Sequence, residues 1–208
     1  MKNKIFAILL LLASFTALFG QKSYDDQWKK ITENYKSGKY KSNLPLILEI
    51  QNQAMKEDNS IQLIRSLKAE FSIINQTEDD TKNDSSSKFF TKLKGLDAQL
   101  KGDDKLLYQV LLGEFFSDYY NQNQWRINQR TNINNQDSSE IETWSKLDFK
   151  NYLIKHFKDL ESSKNALQKI QMSKYKSIFE ETEDLDYFST LFDWNTMKEI
   201  EFYNNSQL

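Results

Sequence analysis

Cysteine is absent from the sequence. That excludes disulfides, thiolate metal sites, thiol nucleophiles and a cysteine-borne lipid anchor. Histidine occurs once, as His156, so no zinc site can form unless carboxylates supply nearly all of it. Proline also occurs once and glycine five times in 208 residues. These two residues punctuate turns, and a many-stranded sandwich or barrel needs more of them. There is no basic excess either: 28 Lys and Arg stand against 30 Asp and Glu, a formal charge of −2. Phosphate neutralisation supplies much of nucleic-acid affinity, so nucleic acid is not expected as a partner. Glycine-rich phosphate loops and dinucleotide fingerprints are missing as well.

What the sequence does have is rings and helical spacing. Aromatic residues make up 13% of it, more ring surface than a disordered chain carries. The N-terminus is different in kind. Lys2 and Lys4 precede a run from Ile5 to Phe19 that is apolar except for Ser14 and Thr16, and Gly20 stands before Gln21. This is the layout of a secretory signal. The run is short of the about 20 residues a spanning helix needs, so no stable membrane anchor is expected. Residues 1–20 are therefore read as a signal peptide, and the remainder as periplasmic or extracellular. Losing Lys2 and Lys4 takes the charge to −4. The exported part must stand on its core alone, and it is long enough to do so.

The remaining residues, 21–208, read as a single all-α domain, an irregular helical bundle or a set of stacked helical hairpins. Tyr24, Trp28, Ile31 and Tyr35 fall on one face of a first helix over 24–36. Ser23 with Asp26 makes a cap at its start, and Gly38 suits its end. A second helix starts near Leu44 with Pro45 in its first turn and a stripe of Leu44, Ile47, Leu48, Ala54 and Met55. Ile64, Leu67, Phe71 and Ile74 mark a third, and the short break at 58–60 makes the two a hairpin. The polar stretch 75–87 is expected to be a mobile loop.

Phe89, Leu93, Leu96 and Leu100 give a fourth helix. A long fifth, over 104–122, carries apolar residues on two sides and should be central. Residues 126–143 are expected to be a second mobile loop, with Trp125 closing the core and Arg130 pairing with an acid. Ser145 with Asp148 starts a sixth helix bearing Phe149, Leu153, Phe157 and Leu160. A short helix is expected over 166–171. Thr190 with Asp193 starts the last helix, through Trp194, Met197 and Phe202. Trp28 with Tyr35 is similar to the start of a tetratricopeptide repeat, but the spacing does not recur at 34 residues.

No residue earns a catalytic, cofactor-binding or metal-ligating assignment. His156 sits on the apolar face of its helix beside Phe157, where a packed ring is expected rather than a triad member. Glu180, Glu181, Glu183, Asp184 and Asp186 lack the glycine and the alternation of a calcium loop and read as a solvated acidic run. An enzyme built on carboxylates alone would need two acids of shifted pKa in a cleft.

Three stretches carry a family resemblance. The first is Tyr24-Asp25-Asp26-Gln27-Trp28-Lys29-Lys30. The second runs from Glu114-Phe115-Phe116-Ser117-Asp118-Tyr119-Tyr120 through Asn121-Gln122-Asn123-Gln124-Trp125 to Gln129-Arg130-Thr131, followed by Trp144. The third is Thr190-Leu191-Phe192-Asp193-Trp194 with Glu201-Phe202-Tyr203. In this order and spacing the sequence resembles the N-terminal helical region of large bacterial alpha-2-macroglobulin-like proteins, across essentially everything after residue 20. The resemblance implies an exported relative of protease traps. In such proteins the helical region leads into β-sandwich domains with a bait segment and, in some members, a thioester. None of those parts is in this sequence, and the missing cysteine leaves no thioester. The resemblance therefore implies a non-catalytic module without inhibitory activity alone, from a truncated or split gene, whose partner is the downstream domains or another protein. The other reading is an independent helical-repeat-like scaffold that binds a peptide or protein.

Overall fold

The computed structural model describes residues 23–77, 85–131, 140–179 and 185–204, apart from the side chain of Asp186. Among these residues the chain is an all-α bundle with no strand, only an isolated antiparallel bridge between Gln171 and Thr190. The helices are α1 (Tyr24–Lys36), α2 (Leu44–Lys56), α3 (Ser60–Thr77), α4 (Ser85–Leu96), α5 (Gly102–Asn128), α6 (Lys146–Glu161), α7 (Lys164–Leu167) and α8 (Leu191–Asn204). Short 3-10 turns cover Tyr40–Asn43, Ile141–Thr143, Met172–Ile178 and Leu185–Tyr187. None of the described helices is long and apolar enough to cross a membrane. The signal peptide expected over 1–20 lies outside the described residues.

The helix ends are written locally. The Ser23 hydroxyl accepts the Asp26 N–H at 3.2 Å and starts α1. At its far end Gly38 takes φ +69°, which lets its N–H reach the Tyr35 carbonyl and the Lys39 N–H reach that of Asn34. Ser145 and Asp148 form a full capping box on α6. Thr190 and Asp193 form the same pair on α8, with both the N–H and the hydroxyl of Thr190 donating to the Asp193 carboxylate.

Helix α5 is the axis. Tyr108, Leu111, Phe115, Tyr119 and Tyr120 on it are all buried. Four helices surround it. Ser60 meets Asp104 and Lys68 meets Glu114, so α3 runs parallel to α5. Tyr108 donates to the Leu93 carbonyl and Phe89 packs on Phe115, so α4 runs antiparallel. Phe116 meets Tyr152 and Tyr120 meets Phe149, so α6 is antiparallel too. Trp194 meets Glu114, while Asn121 and Phe202 line one hollow, so α8 is parallel. A ladder of rings from Phe71 and Phe89 through Phe115, Phe90, Phe116 and Trp144 to Tyr152 joins three of these partners across α5. Each such ring contributes roughly 1.5–3 kcal/mol by leaving water, and each favourable pair a further ~0.5–1.5.

A second, smaller core holds α1 and α2 against α3 through Trp28, Ile31, Ile47, Ile50 and Ile73. Tyr24 ties the start of α1 to Glu57 at the end of α2 through a 2.6 Å hydrogen bond.

Several boundaries differ from the sequence reading. Helix α3 continues through Thr77 and α4 begins at Ser85, so the expected loop at 75–87 is narrower at both ends. Helix α5 extends to Asn128, and Ile141–Thr143 is a 3-10 turn, which likewise trims the loop expected at 126–143. Leu100 is buried but lies beyond α4. The stripe of α2 is turned by one position. Ile47, Ile50, Gln51 and Ala54 face inward, while Leu48 and Met55 are exposed. Gln51 takes the place of an apolar residue because it hydrogen-bonds Glu70 at 2.6 Å and accepts from Lys92 at 3.0 Å. The helix expected at 166–171 is instead α7, and the chain then turns so that Ile170 and Met172 bond the backbone at Leu191 and Ser189.

Candidate functional site

Two hollows meet on one side of α5. The larger, about 540 Å³, lies between α1, α3 and α5 and is closed at one end by Ser177 and Ile178. Trp28, Ile31, Phe71 and Phe115 give it apolar walls, and Thr32, Asn75, Gln76 and Gln122 give it a polar lip. The smaller, about 340 Å³, lies between α5 and α8. Glu114 and Asp118 line both.

Helical spacing brings these two acids together. One turn apart on α5, they fall on the same face. Glu114 is buried and well held: Trp194 Nε1 donates to it at 3.3 Å and Lys68 Nζ lies 3.6 Å away. Lys68 in turn stands over the Phe179 ring, 4.5 Å from its centre. Asp118 has no hydrogen bond or ion pair among the described residues. Burial first, then the nearby Glu114 charge, pushes its carboxyl up to about 6, against the pull of Lys198 and Lys68. Lys198 moves upward despite burial, because Glu114, Glu201 and Asp118 favour its charge. At the outer end Arg65 lies over Trp28, 4.1 Å from the ring centre, and Trp28 Nε1 donates to Gln62 at 2.7 Å. The arrangement offers acceptors to a donor or a cation, beside an apolar trough.

In the sequence reading Glu114 and Asp118 stand only within the stretch that carries the resemblance and have no role. Their signal was visible: two acids one turn apart on a stripe otherwise made of Leu107, Leu111 and Phe115.

His156 is a packed ring. Its Nε2–H donates to the Gln109 carbonyl at 2.8 Å, the ring stacks on Tyr152, and burial holds the imidazole below its ordinary value. No hydroxyl nucleophile is paired with it in any described hydrogen bond. Among the described residues no group of three or more His, Asp or Glu is placed to hold a metal ion. Residues 180–184 of the acidic run lie outside the described residues.

Trp125 does not close the core. It is 80% exposed. Because α5 runs six residues further than expected, the helical twist carries residue 125 about 140° round from Tyr120, while Ile127 returns to the buried face. Trp144 fills the place instead, fully buried between Phe116 and Phe149. Arg130 donates to the Trp144 carbonyl at 2.7 Å, and the nearby Glu142 charge favours its cationic form.

No family model matches the chain, and no curated protein and no solved structure matches it either.

Proposed function

We propose that the chain is a non-catalytic, exported helical module whose work is contact with another protein. In this reading it is built like the N-terminal region of an alpha-2-macroglobulin-like protease trap and has no inhibitory activity alone. The observation that carries the reading is Trp125. A tryptophan at 80% exposure, on a helix whose other large rings are buried, is the residue type that dominates protein interfaces. It lies one turn beyond Asn121, which shares a hollow with Asn204 at the end of α8. The surface that meets a partner is therefore the end of the bundle where α5 and α8 finish. The partner is the set of β-sandwich domains that the resemblance implies. Export rests on Lys2, Lys4 and the apolar run Ile5–Phe19.

The test is titration calorimetry of the chain against separately produced β-sandwich domains from the adjoining reading frame. Binding that weakens at least tenfold in Trp125→Ala supports the reading. No binding by the unsubstituted chain, or no adjoining frame of that kind, ends it. N-terminal sequencing of the secreted protein should begin near Gln21, and a retained Met1 removes the exported part.

The second reading is an independent scaffold that holds a peptide. The observation that favours it is the trough between α1, α3 and α5, walled by rings and edged by side-chain amides.

A further inference from the structure

We propose that the trough holds an extended peptide and that a lysine or arginine side chain of that peptide seats in the smaller hollow, against Asp118, Glu114 and Glu201. This rests on the peptide-scaffold reading and names its ligand.

The trough and the smaller hollow share Glu114 and Asp118, so an occupant of one can reach the other. Their sizes fall within the ~300–1,000 Å³ usual for ligand sites. The trough suits a peptide: rings accept apolar side chains, while Asn75, Gln76 and Gln122 can bond main-chain N–H and C=O groups.

Charge selects the side chain. The smaller hollow is lined by three carboxylates, Glu114, Asp118 and Glu201, and one ammonium, Lys198. Lys68 reaches Glu114 from α3, leaving one negative charge over. Lys198 is committed to Glu201 at 3.1 Å. The unmatched group is Asp118, the carboxylate with no hydrogen bond among the described residues. Next to it the Ser117 hydroxyl is buried without a partner, on the same hollow. A single cation closes the balance and supplies the donors these oxygens lack. The Ser117 hydroxyl is the buried unpaired oxygen among them, and leaving it unpaired costs free energy, so filling it favours binding.

The charged groups that act on Asp118 are Glu114 from its own helix, Lys68 from α3, and Lys198 and Glu201 from α8, while Arg65 of α3 lines the same trough at its outer end over Trp28. With the carboxyl raised to about 6 in the empty site, acid removes the charge that attracts the ligand.

The probes are four capped heptapeptides, Ala-Ala-Leu-Xaa-Leu-Ala-Ala, with Arg, Lys, Gln or Glu at Xaa. Binding of each to the full chain is read by fluorescence polarisation at pH 7.5 and pH 5. The Arg and Lys peptides should bind at least tenfold tighter than the Gln peptide at pH 7.5. That preference should shrink severalfold at pH 5 and vanish in Asp118→Asn, with a smaller loss in Glu201→Gln. If all four bind alike, the peptide scaffold stands and the cation site falls. If none binds, both fall. If Asp118→Asn keeps the preference, the site is elsewhere. If free agmatine or cadaverine binds as tightly as the peptides, the ligand is a small amine and the peptide proposal is overturned.

Discussion

Gly113 and His156 are fitted to each other across the α5–α6 contact. A Cβ built at Gly113 would stand 3.0 Å from Cδ2 and 3.1 Å from Nε2 of the histidine. The ring has little freedom to retreat. Its Nε2–H is bonded to the Gln109 carbonyl, and Tyr152 stacks on one side. Gly113→Ala sets two effects against each other. Alanine favours the helix by ~1 kcal/mol, and overpacking costs roughly 1–3. The bonded ring decides the sign, so a net loss of about 1 kcal/mol is expected. In a His156→Ala background the same substitution should become neutral or stabilising. A double-mutant cycle by urea unfolding measures this, and equal effects in both backgrounds would show that the contact does not matter.

Trp125 and Trp144 have opposite surroundings and should behave oppositely. Trp144→Ala removes a fully buried indole and should cost ~3–5 kcal/mol. Trp125→Ala should stay within about 0.5 kcal/mol of the unsubstituted chain. Trp28, Trp144 and Trp194 are each at most 8% exposed. Trp125→Phe should therefore abolish most acrylamide quenching of the tryptophan fluorescence. Persistent quenching would mean that another indole is reachable.

These two residues also show what could be read from the sequence and what could not. Capping pairs and three-to-four spacing are local, and Ser23, Ser145 and Thr190 mark helix starts where the structure has them. The central position of α5 followed from its two apolar sides. Trp125 was misjudged because its burial depends on where α5 stops, and Asn- and Gln-rich sequence gives no stop signal. The orientation of α2 was missed for another reason: Gln51 is inward only because Glu70 and Lys92, 19 and 41 residues away, meet it there. Long-range polar partners leave no period. The acids of the candidate site were visible on α5, but the hollows they line come from the packing of α1, α3 and α8.

Asp118 gives a pH dependence whose sign is the reverse of the usual carboxylate. Its folded-state value is raised to about 6 from 3.8, so the folded chain binds a proton more readily than the unfolded one. Well below pH 3.8 both states carry a neutral group and nothing is lost. As pH rises through about 6 the folded state must bear a poorly solvated charge, and stability falls by on the order of 1–3 kcal/mol. Asp118→Asn should therefore raise Tm at pH 7.5 and leave it unchanged near pH 3.5, relative to the unsubstituted chain. A uniform shift at both pH values would rule out the carboxylate charge as the cause. The stabilising variant is also the one expected to lose cation preference, and a purely structural residue would not combine those two effects.

The bridge formed by Gln51, Glu70 and Lys92 should be strongly coupled. It joins α2, α3 and α4, with Lys92 donating to both of the others. Glu70 is buried, and the Lys92 side chain is about one-third exposed. Lys92→Met keeps the stem but strands the Glu70 carboxylate against Gln51 alone, and should cost ~2–4 kcal/mol. Removing the acid as well, in Lys92→Met with Glu70→Leu, should recover part of that loss, because a matched apolar pair of similar volume carries no buried charge. Gln51 then loses both of its partners, Glu70 and Lys92, and the stranded amide sets a residual cost of ~1–3 kcal/mol. Chemical denaturation of the single and double variants decides it. If the double variant is as unstable as the sum of the singles, the three groups act independently and the helices are joined by their apolar contacts alone.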